Sequence, residues 1–282
     1  MRVTVVINPV SGPGGARGRD MDGRARQASG LLRAMGADAE VVVTERPGHG
    51  REIAQAAADR GDEIVCAWGG DGTVNEVASA LAFTKTALAI VPSGSGNGLA
   101  RSLGVPRDLE DALRYAIAAP ARLIDMGEIG GRRFASIAGI GFDAHVALRF
   151  NEARHAGSGL WSYVRAGLHE ARTYEPRRVE VRIGTGTFAA APLAIAFANS
   201  QQYGNGAIIC PSARLDDGVL RMVVIHKTTF LRDLWRVRRL FSGTADRDPL
   251  LVTRPFTALT VTSDEPILFQ VDGDPVQGAA SL

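Results

Sequence analysis

The sequence predicts an α/β domain built on a parallel sheet, followed by a mainly antiparallel β domain. Three observations predict it. Over residues 1–122, short all-apolar runs alternate with stretches of helical periodicity. Each of those runs ends in a glycine-rich or polar turn. After Pro120 the texture changes to short strands punctuated by Gly, Pro and Asn.

In the first domain the expected strands are 3–7, 39–44, 63–68 and 87–91. They carry apolar side chains on both faces, which is the pattern of a parallel strand covered by helices above and below. Helices are expected near 20–35, 50–60, 73–83 and 108–119. Residues 74, 77, 78 and 81 are apolar at helical spacing just after the run "CAWGGDGT", so a strand feeds a helix through three glycines and an acid. In the second domain, "FASIAGIGFDA", "VEVRIG", "TFAAAPLAIAFANS", "VLRMVVIH", "FTALTVTS" and "ILFQVDGD" read as strands. Helical interruptions are expected at about 145–175 and 229–242. The domains are expected to span 1–122 and 123–282.

Composition excludes several classes. The chain has 282 residues and a formal net charge of +2, too near neutrality to suggest a nucleic-acid binder. Its two cysteines, Cys66 and Cys210, fall in or beside apolar runs and read as reduced core residues. Five scattered histidines show no metal-ligand spacing. No uncharged apolar run approaches the length of a membrane span, and no signal-peptide stretch precedes the first strand. A soluble, cytoplasmic protein is expected.

The turns carry the chemistry. In open parallel sheets, ligands sit at the carboxyl ends of the strands. "NPVSGPGG", "TERPGHG", "GGDGT" and "PSGSGNG" all fall there. A helix N-terminus presents unpaired N–H groups and the positive end of its dipole, and glycines let a phosphate approach the backbone. Asp71 within such a turn makes sense beside a cation, or as a proton acceptor. Ser93, Ser95 and Asn97 could contact phosphate or ribose. No Gly-Lys pair completes a P-loop, "SGPGGARG" fits the dinucleotide fingerprint poorly, and neither a nucleophile elbow nor protein-kinase strings occur. Further along, Asp216-Asp217-Gly218 reads by spacing as a hairpin turn, or as a hard-cation site of one carboxylate and turn carbonyls. Asp272-Gly273-Asp274 reads as another turn, or as a carboxylate returned to the site. On the helix 229–242, Phe230, Leu234, Val237 and Phe241 share one face and Arg232, Arg236 and Arg239 another. That is a solvated basic face or a membrane-docking one.

Taken in order, these pieces resemble the diacylglycerol kinase catalytic-domain family, with its bacterial lipid kinases and its sphingosine and ceramide kinases. The matching residues are Asn8-Pro9-x-Ser11-Gly12, Thr44 with Gly48, Gly69-Gly70-Asp71-Gly72-Thr73-x-Asn75-Glu76 and Pro92-x-Gly94-Ser95-Gly96-Asn97. Then come Gly139-x-Gly141-Phe142-Asp143, Asn199, Leu215-Asp216-Asp217-Gly218 and Asp272-Gly273-Asp274. The resemblance implies a nucleotide-binding domain akin to those of NAD kinases and phosphofructokinases, then a β-sandwich-like domain, with ATP between them. It implies contacts to ATP from Asn8, Thr44, Gly69, Gly70, Asp71, Gly72, Thr73, Val74, Asn75 and Ser95, with Asp71 near the phosphates through Mg²⁺ and water. It places a structural cation on Asp217 and the carbonyls of Arg214 and Val219. Asp274 takes the general-base position, where the family usually has Glu, and some relatives give that role to the acid at position 71. The implied partners are ATP and a lipid substrate presented at a membrane surface. Acceptors left open are diacylglycerol, a sphingoid or ceramide-type lipid and a soluble alcohol, and a non-catalytic nucleotide binder is the remaining alternative. Peripheral contact with the inner membrane face and a homodimer are also left open.

Overall fold

The structure, a computed structural model, describes residues 1–11, 21–152, 174–229 and 238–282, with backbone alone at 150–152. It divides into two compact units, Met1–Leu123 and Ile124–Leu282.

The first unit alternates β1 (Arg2–Ile7), α1 (Met21–Ala34), β2 (Asp38–Val43), α2 (His49–Asp59), β3 (Ile64–Gly69), α3 (Asp71–Leu81) and β4 (Ala87–Pro92). Two helices follow, α4 (Gly98–Ser102) and α5 (Leu109–Ala118). The four strands form one parallel sheet in the order β2-β1-β3-β4. Every residue of β3 is buried, as expected of an interior strand covered on both faces. Val3, Val5, Ile7, Cys66, Trp68 and Val91 pack with Ala28 and Leu32 of α1 and with Ala112 and Leu113 of α5. Asp108 caps α5 by accepting N–H bonds from Glu110 and Asp111. Because the strands are parallel, the turns after β1, β2, β3 and β4 all open at one edge.

The second unit begins with a hairpin, β5 (Gly127–Ile129) and β6 (Arg132–Phe134), then β7 (Ile137–Gly141) and α6 (Phe142–Glu152). It continues with β8 (Val179–Ile183), β9 (Gly186–Ala190), β10 (Ala194–Ala198), β11 (Gln202–Gly204), β12 (Ala207–Ile208) and β13 (Leu220–Ile225). The last strands are β14 (Leu251–Phe256), β15 (Thr260–Thr262), β16 (Leu268–Val271) and β17 (Asp274–Gln277). A six-stranded antiparallel sheet has the order β14-β13-β10-β7-β16-β17, and a three-stranded one the order β15-β8-β9. Ile140, Ile195, Phe197, Met222, Val224 and Phe269 of the larger sheet pack with Val179, Val181 and Val261 of the smaller. The outer strands of the larger sheet carry Pro255 and Pro275, which lack an N–H and are confined to such edges.

Several expectations are corrected. "FASIAGIGFDA" is strand only to Gly141; Phe142 and Asp143 open α6. "TFAAAPLAIAFANS" is two strands, β9 and β10, parted around Pro192. The strand β14 and the hairpins β5–β6 and β11–β12 were not expected. Most of the interruption expected at 145–175 lies outside the described residues; helix continues to Glu152, and 174–178 are not helical. Residues 230–237 of the expected helix 229–242 likewise lie outside them. Residues 238–241 are helical, with Phe241 exposed.

Candidate functional site

Four turns converge on the carboxyl edge of the parallel sheet, and the side chains within them are largely engaged in holding one another. The turn after β1 is tied to the turn after β3. The Asn8 N–H donates to the Trp68 carbonyl at 3.0 Å, and Asn8 Nδ2 donates to Thr73 Oγ1 at 2.9 Å. The N–H of Gly70 donates to Ser11 Oγ at 3.3 Å. The turn after β2 is tied to α3: the Gly48 and Gly50 N–H groups donate to the two oxygens of Glu76 at 2.8 and 3.0 Å. Thr44, mostly buried, donates its N–H to the Ile7 carbonyl at 2.8 Å.

The turns after β3 and β4 touch backbone to backbone. A Cβ built on Gly94 would lie 2.5 Å from Gly70 Cα, and one on Gly70 would lie 3.3 Å from Gly94 Cα. Only glycine permits that approach. Asp71 then joins the same two turns from its place at the first position of α3. Its Oδ2 accepts the N–H of Asn97 at 2.8 Å and its Oδ1 accepts that of Gly98 at 2.7 Å. Charge-assisted bonds of this kind are among the stronger hydrogen bonds. The acid in the glycine turn therefore closes the gap between two loops, a role that adjacency in sequence did not disclose.

Asn97 adopts a left-handed conformation, φ 53°. Its amide is used within its own turn, accepting from the Gly94 N–H at 2.9 Å and donating to the Gly94 carbonyl at 2.7 Å. The phosphate or ribose contact expected of its side chain is thus replaced by a turn-forming one. Ser95 is exposed at the tip of that turn. Val74 and Asn75 are buried, and the Val74 N–H is bonded to the Gly70 carbonyl. The edge thus brings together Asn8, Thr44, residues 69–73 and Ser95, while the side chains of Val74 and Asn75 lie beneath it. The first N–H groups of α3, those of Gly72 and Thr73 among them, have no carbonyl one turn earlier within the helix to bond.

In the second unit, Asp274 opens β17 and is exposed, paired in register with Val271. It follows a tight turn in which Asp272 and Gly273 both have positive φ, 47° and 92°. That is the hairpin geometry favoured by Asp-Gly. The Asp272 carboxylate accepts the N–H groups of Ala135, Ser136 and Ile137 at 2.8, 2.9 and 3.0 Å. Of the two acids in "DGD", one is thus occupied in anchoring the hairpin. Behind the hairpin, Gln270 Oε1 accepts the Gly273 N–H at 2.8 Å, and Gln270 Nε2 donates to Asp143 Oδ2 at 3.3 Å. Tyr203 donates its hydroxyl to the same oxygen at 3.1 Å. Burial pushes the Asp143 carboxyl up to about 6, against the opposing pull of these bonds. Sequence placed Asp143 in a motif but assigned it no role.

Arg214, Asp217 and Val219, the residues named for a structural cation, are arranged differently from an open ligand set. Asp217 Oδ2 accepts from the Arg221 guanidinium at 2.6 Å, and the Val219 carbonyl accepts from the same guanidinium at 3.0 Å. The side chain of Arg214 is exposed and pairs with Asp216 at 3.7 Å. Among the described residues no group of three or more His, Cys, Asp or Glu is placed to hold a metal ion. At these residues the Arg221 guanidinium occupies both the Asp217 carboxylate and the Val219 carbonyl.

The geometry can be set beside known proteins. A family model for the "Diacylglycerol kinase catalytic domain" matches residues 2–129. One for the "YegS C-terminal NAD kinase beta sandwich-like domain" matches residues 136–281. A Klebsiella pneumoniae protein described as "Probable lipid kinase YegS-like" is 33% identical over 258 residues, covering 90% of this chain and 85% of its own. A Chromohalobacter salexigens protein of the same description is 34% identical over 215 residues, covering 74% and 68%. A solved structure described as a diacylglycerol kinase from Bacillus anthracis superposes with a TM-score of 0.72 at 17% identity, covering 99% of this chain and 92% of that one. At that identity the likeness supports the fold alone. Among the described residues no helix is long and apolar enough to cross a membrane.

Proposed function

The chain belongs to the diacylglycerol kinase catalytic-domain family of lipid kinases, and on that premise we propose that it transfers the γ-phosphate of ATP to a hydroxyl of a membrane lipid such as diacylglycerol. The observation that carries the reading is the glycine contact between the turns after β3 and β4, clamped by Asp71. It leaves a bare backbone surface at the N-terminus of α3, which suits the phosphates of a nucleotide.

Phosphoryl transfer needs positioning and charge neutralisation more than covalent chemistry. Asn8 and Glu76 fix the turns around the glycines, and the N–H groups of Gly72 and Thr73 donate to the phosphate oxygens. Thr44 and Ser95 flank the nucleotide on the same edge. Mg²⁺ bound with ATP would offset the triphosphate charge, and Asp71 is the carboxylate that would face it. Asp274 receives the proton of the acceptor hydroxyl. It lies exposed on a hairpin that the neighbouring Asp272 anchors.

The test is the dependence of ATP turnover on a lipid surface. Turnover is expected to rise when vesicles containing diacylglycerol are added, and to stay at background with glycerol or other soluble alcohols. Equal turnover with soluble alcohols in the absence of vesicles would reject the membrane-lipid acceptor.

A further inference from the structure

Family resemblance points to a divalent ion on Asp217, yet this chain supplies its own cation there. Arg221 lies on β13, paired with Ala198 of β10 on one side and Pro255 of β14 on the other. Its backbone is therefore fixed by an interior strand. From that anchor the guanidinium reaches back four residues and forks. Nη2 meets Asp217 Oδ2 at 2.6 Å and Nη1 meets the Val219 carbonyl at 3.0 Å. The planar fork of arginine suits such paired acceptors. Both side chains are largely enclosed, 16% and 23% exposed for Arg221 and Asp217. The remaining oxygen, Asp217 Oδ1, accepts the Val219 N–H at 3.2 Å.

Nearby acceptors are also engaged. Asp125 Oδ2 accepts the Gly218 N–H at 2.7 Å, and the Leu215 carbonyl accepts the Asp125 N–H at 2.6 Å. A Ca²⁺ or Mg²⁺ site needs several free oxygens and an excess of negative charge. Here the Asp217 carboxylate is balanced by the Arg221 guanidinium and Asp216 is paired with Arg214, so an incoming ion at Asp217 would have to displace Arg221 against repulsion between cations.

We infer that the Arg221 guanidinium replaces the divalent ion in this chain, so that the loop 214–219 is held without metal. The loop is not isolated. Asn199 Nδ2 donates to the carbonyls of Asp125 and Ala135, both at 2.7 Å, and the Ala135 N–H is bound by Asp272, two residues before Asp274. The internal cation thus anchors one end of a hydrogen-bonded path that ends at the hairpin.

The experiment is thermal melting of the nucleotide-free protein in EDTA and in millimolar Ca²⁺ or Mg²⁺. The wild-type midpoint is expected to be unmoved by the ions. Arg221→Gln is expected to melt lower in EDTA and to regain roughly 2–4 °C or more with either ion, as a ligand bound by the folded state alone would give. That response should vanish in the double variant Arg221→Gln/Asp217→Asn. An ion-dependent rise in the wild type that Asp217→Asn removes would overturn the inference, as would an Arg221→Gln protein no more ion-responsive than wild type. Should Arg221→Gln fail to fold, Mn²⁺ binding to the wild type by electron paramagnetic resonance decides. No site sensitive to Asp217→Asn upholds the inference, and one that this change abolishes overturns it.

Discussion

Replacing Asp71 by Asn separates the two roles that this carboxylate carries. In the folded protein its two oxygens hold the N–H groups of Asn97 and Gly98 at 2.8 and 2.7 Å. An amide keeps one acceptor oxygen and turns an NH₂ toward the other N–H. Hydrogen bonds to a charged group contribute about 1.5–3 kcal/mol, and an unsatisfied partner costs about 1–3 kcal/mol. The substitution should therefore destabilise the protein by about 2–4 kcal/mol. At about 2–4 °C per kcal/mol, its melting midpoint should fall by roughly 5–15 °C. Turnover is then measured well below that midpoint, as label passed from γ-labelled ATP to vesicle lipid per folded molecule. Loss of a charge aimed at the transferring group should lower it by about 10²–10³-fold. A folded Asp71→Asn protein with the wild-type rate would refute the reasoning, because the acid would then be a brace between turns and nothing more.

Three further outcomes are expected. Asp274→Ala should lower kcat by about 10²–10⁴-fold, the range of a general base, while Asp274→Glu should recover much of the rate; full activity in a folded alanine variant would place the base elsewhere. Glu76→Gln removes the charge from both bonds and leaves one of the Gly48 and Gly50 N–H groups without an acceptor; stability should drop by about 1.5–3 kcal/mol and KM for ATP should rise more than kcat falls, and unchanged values of both would contradict the strut. Asp143, raised to about 6 by burial, is neutral more readily in the folded than in the unfolded state; its stabilising contribution is full below about pH 4 and is lost as pH rises through about 6. That loss is on the order of 3 kcal/mol, so Asp143→Asn should flatten the stability profile between those pH values, and an identical slope in the variant would contradict it.

The first unit was legible because its signals are local. Residues 64–69 are apolar on both faces, and the spacing of Val74, Val77, Ala78 and Leu81 sets a helix directly after the glycines. The C-terminal ends of the strands therefore followed from periodicity alone. What eluded sequence were pairings between residues far apart in the chain. Glu76 serves Gly48 and Gly50, Asp71 serves Asn97 and Gly98, and Asp272 serves Ala135, Ser136 and Ile137. Each is a carboxylate collecting backbone N–H groups from another turn, which no local spacing encodes. In the second unit, Phe142 and Asp143 read as a continued strand because β7 is apolar up to them; the positive φ of Gly141, 92°, turns the chain into α6 instead. Arg221 was hidden for a similar reason. It stands as a single charge in an otherwise apolar strand, and only its reach back to Asp217 reveals the ion pair.

Identifying what receives the phosphate is the most direct measurement. The protein is incubated with γ-labelled ATP, Mg²⁺ and a total lipid extract, and labelled products are separated and weighed by mass spectrometry. The label should appear in a lipid phosphomonoester whose mass exceeds that of its parent lipid by one phosphate. Label confined to inorganic phosphate or to a water-soluble product, with folded protein present throughout, would contradict the assignment.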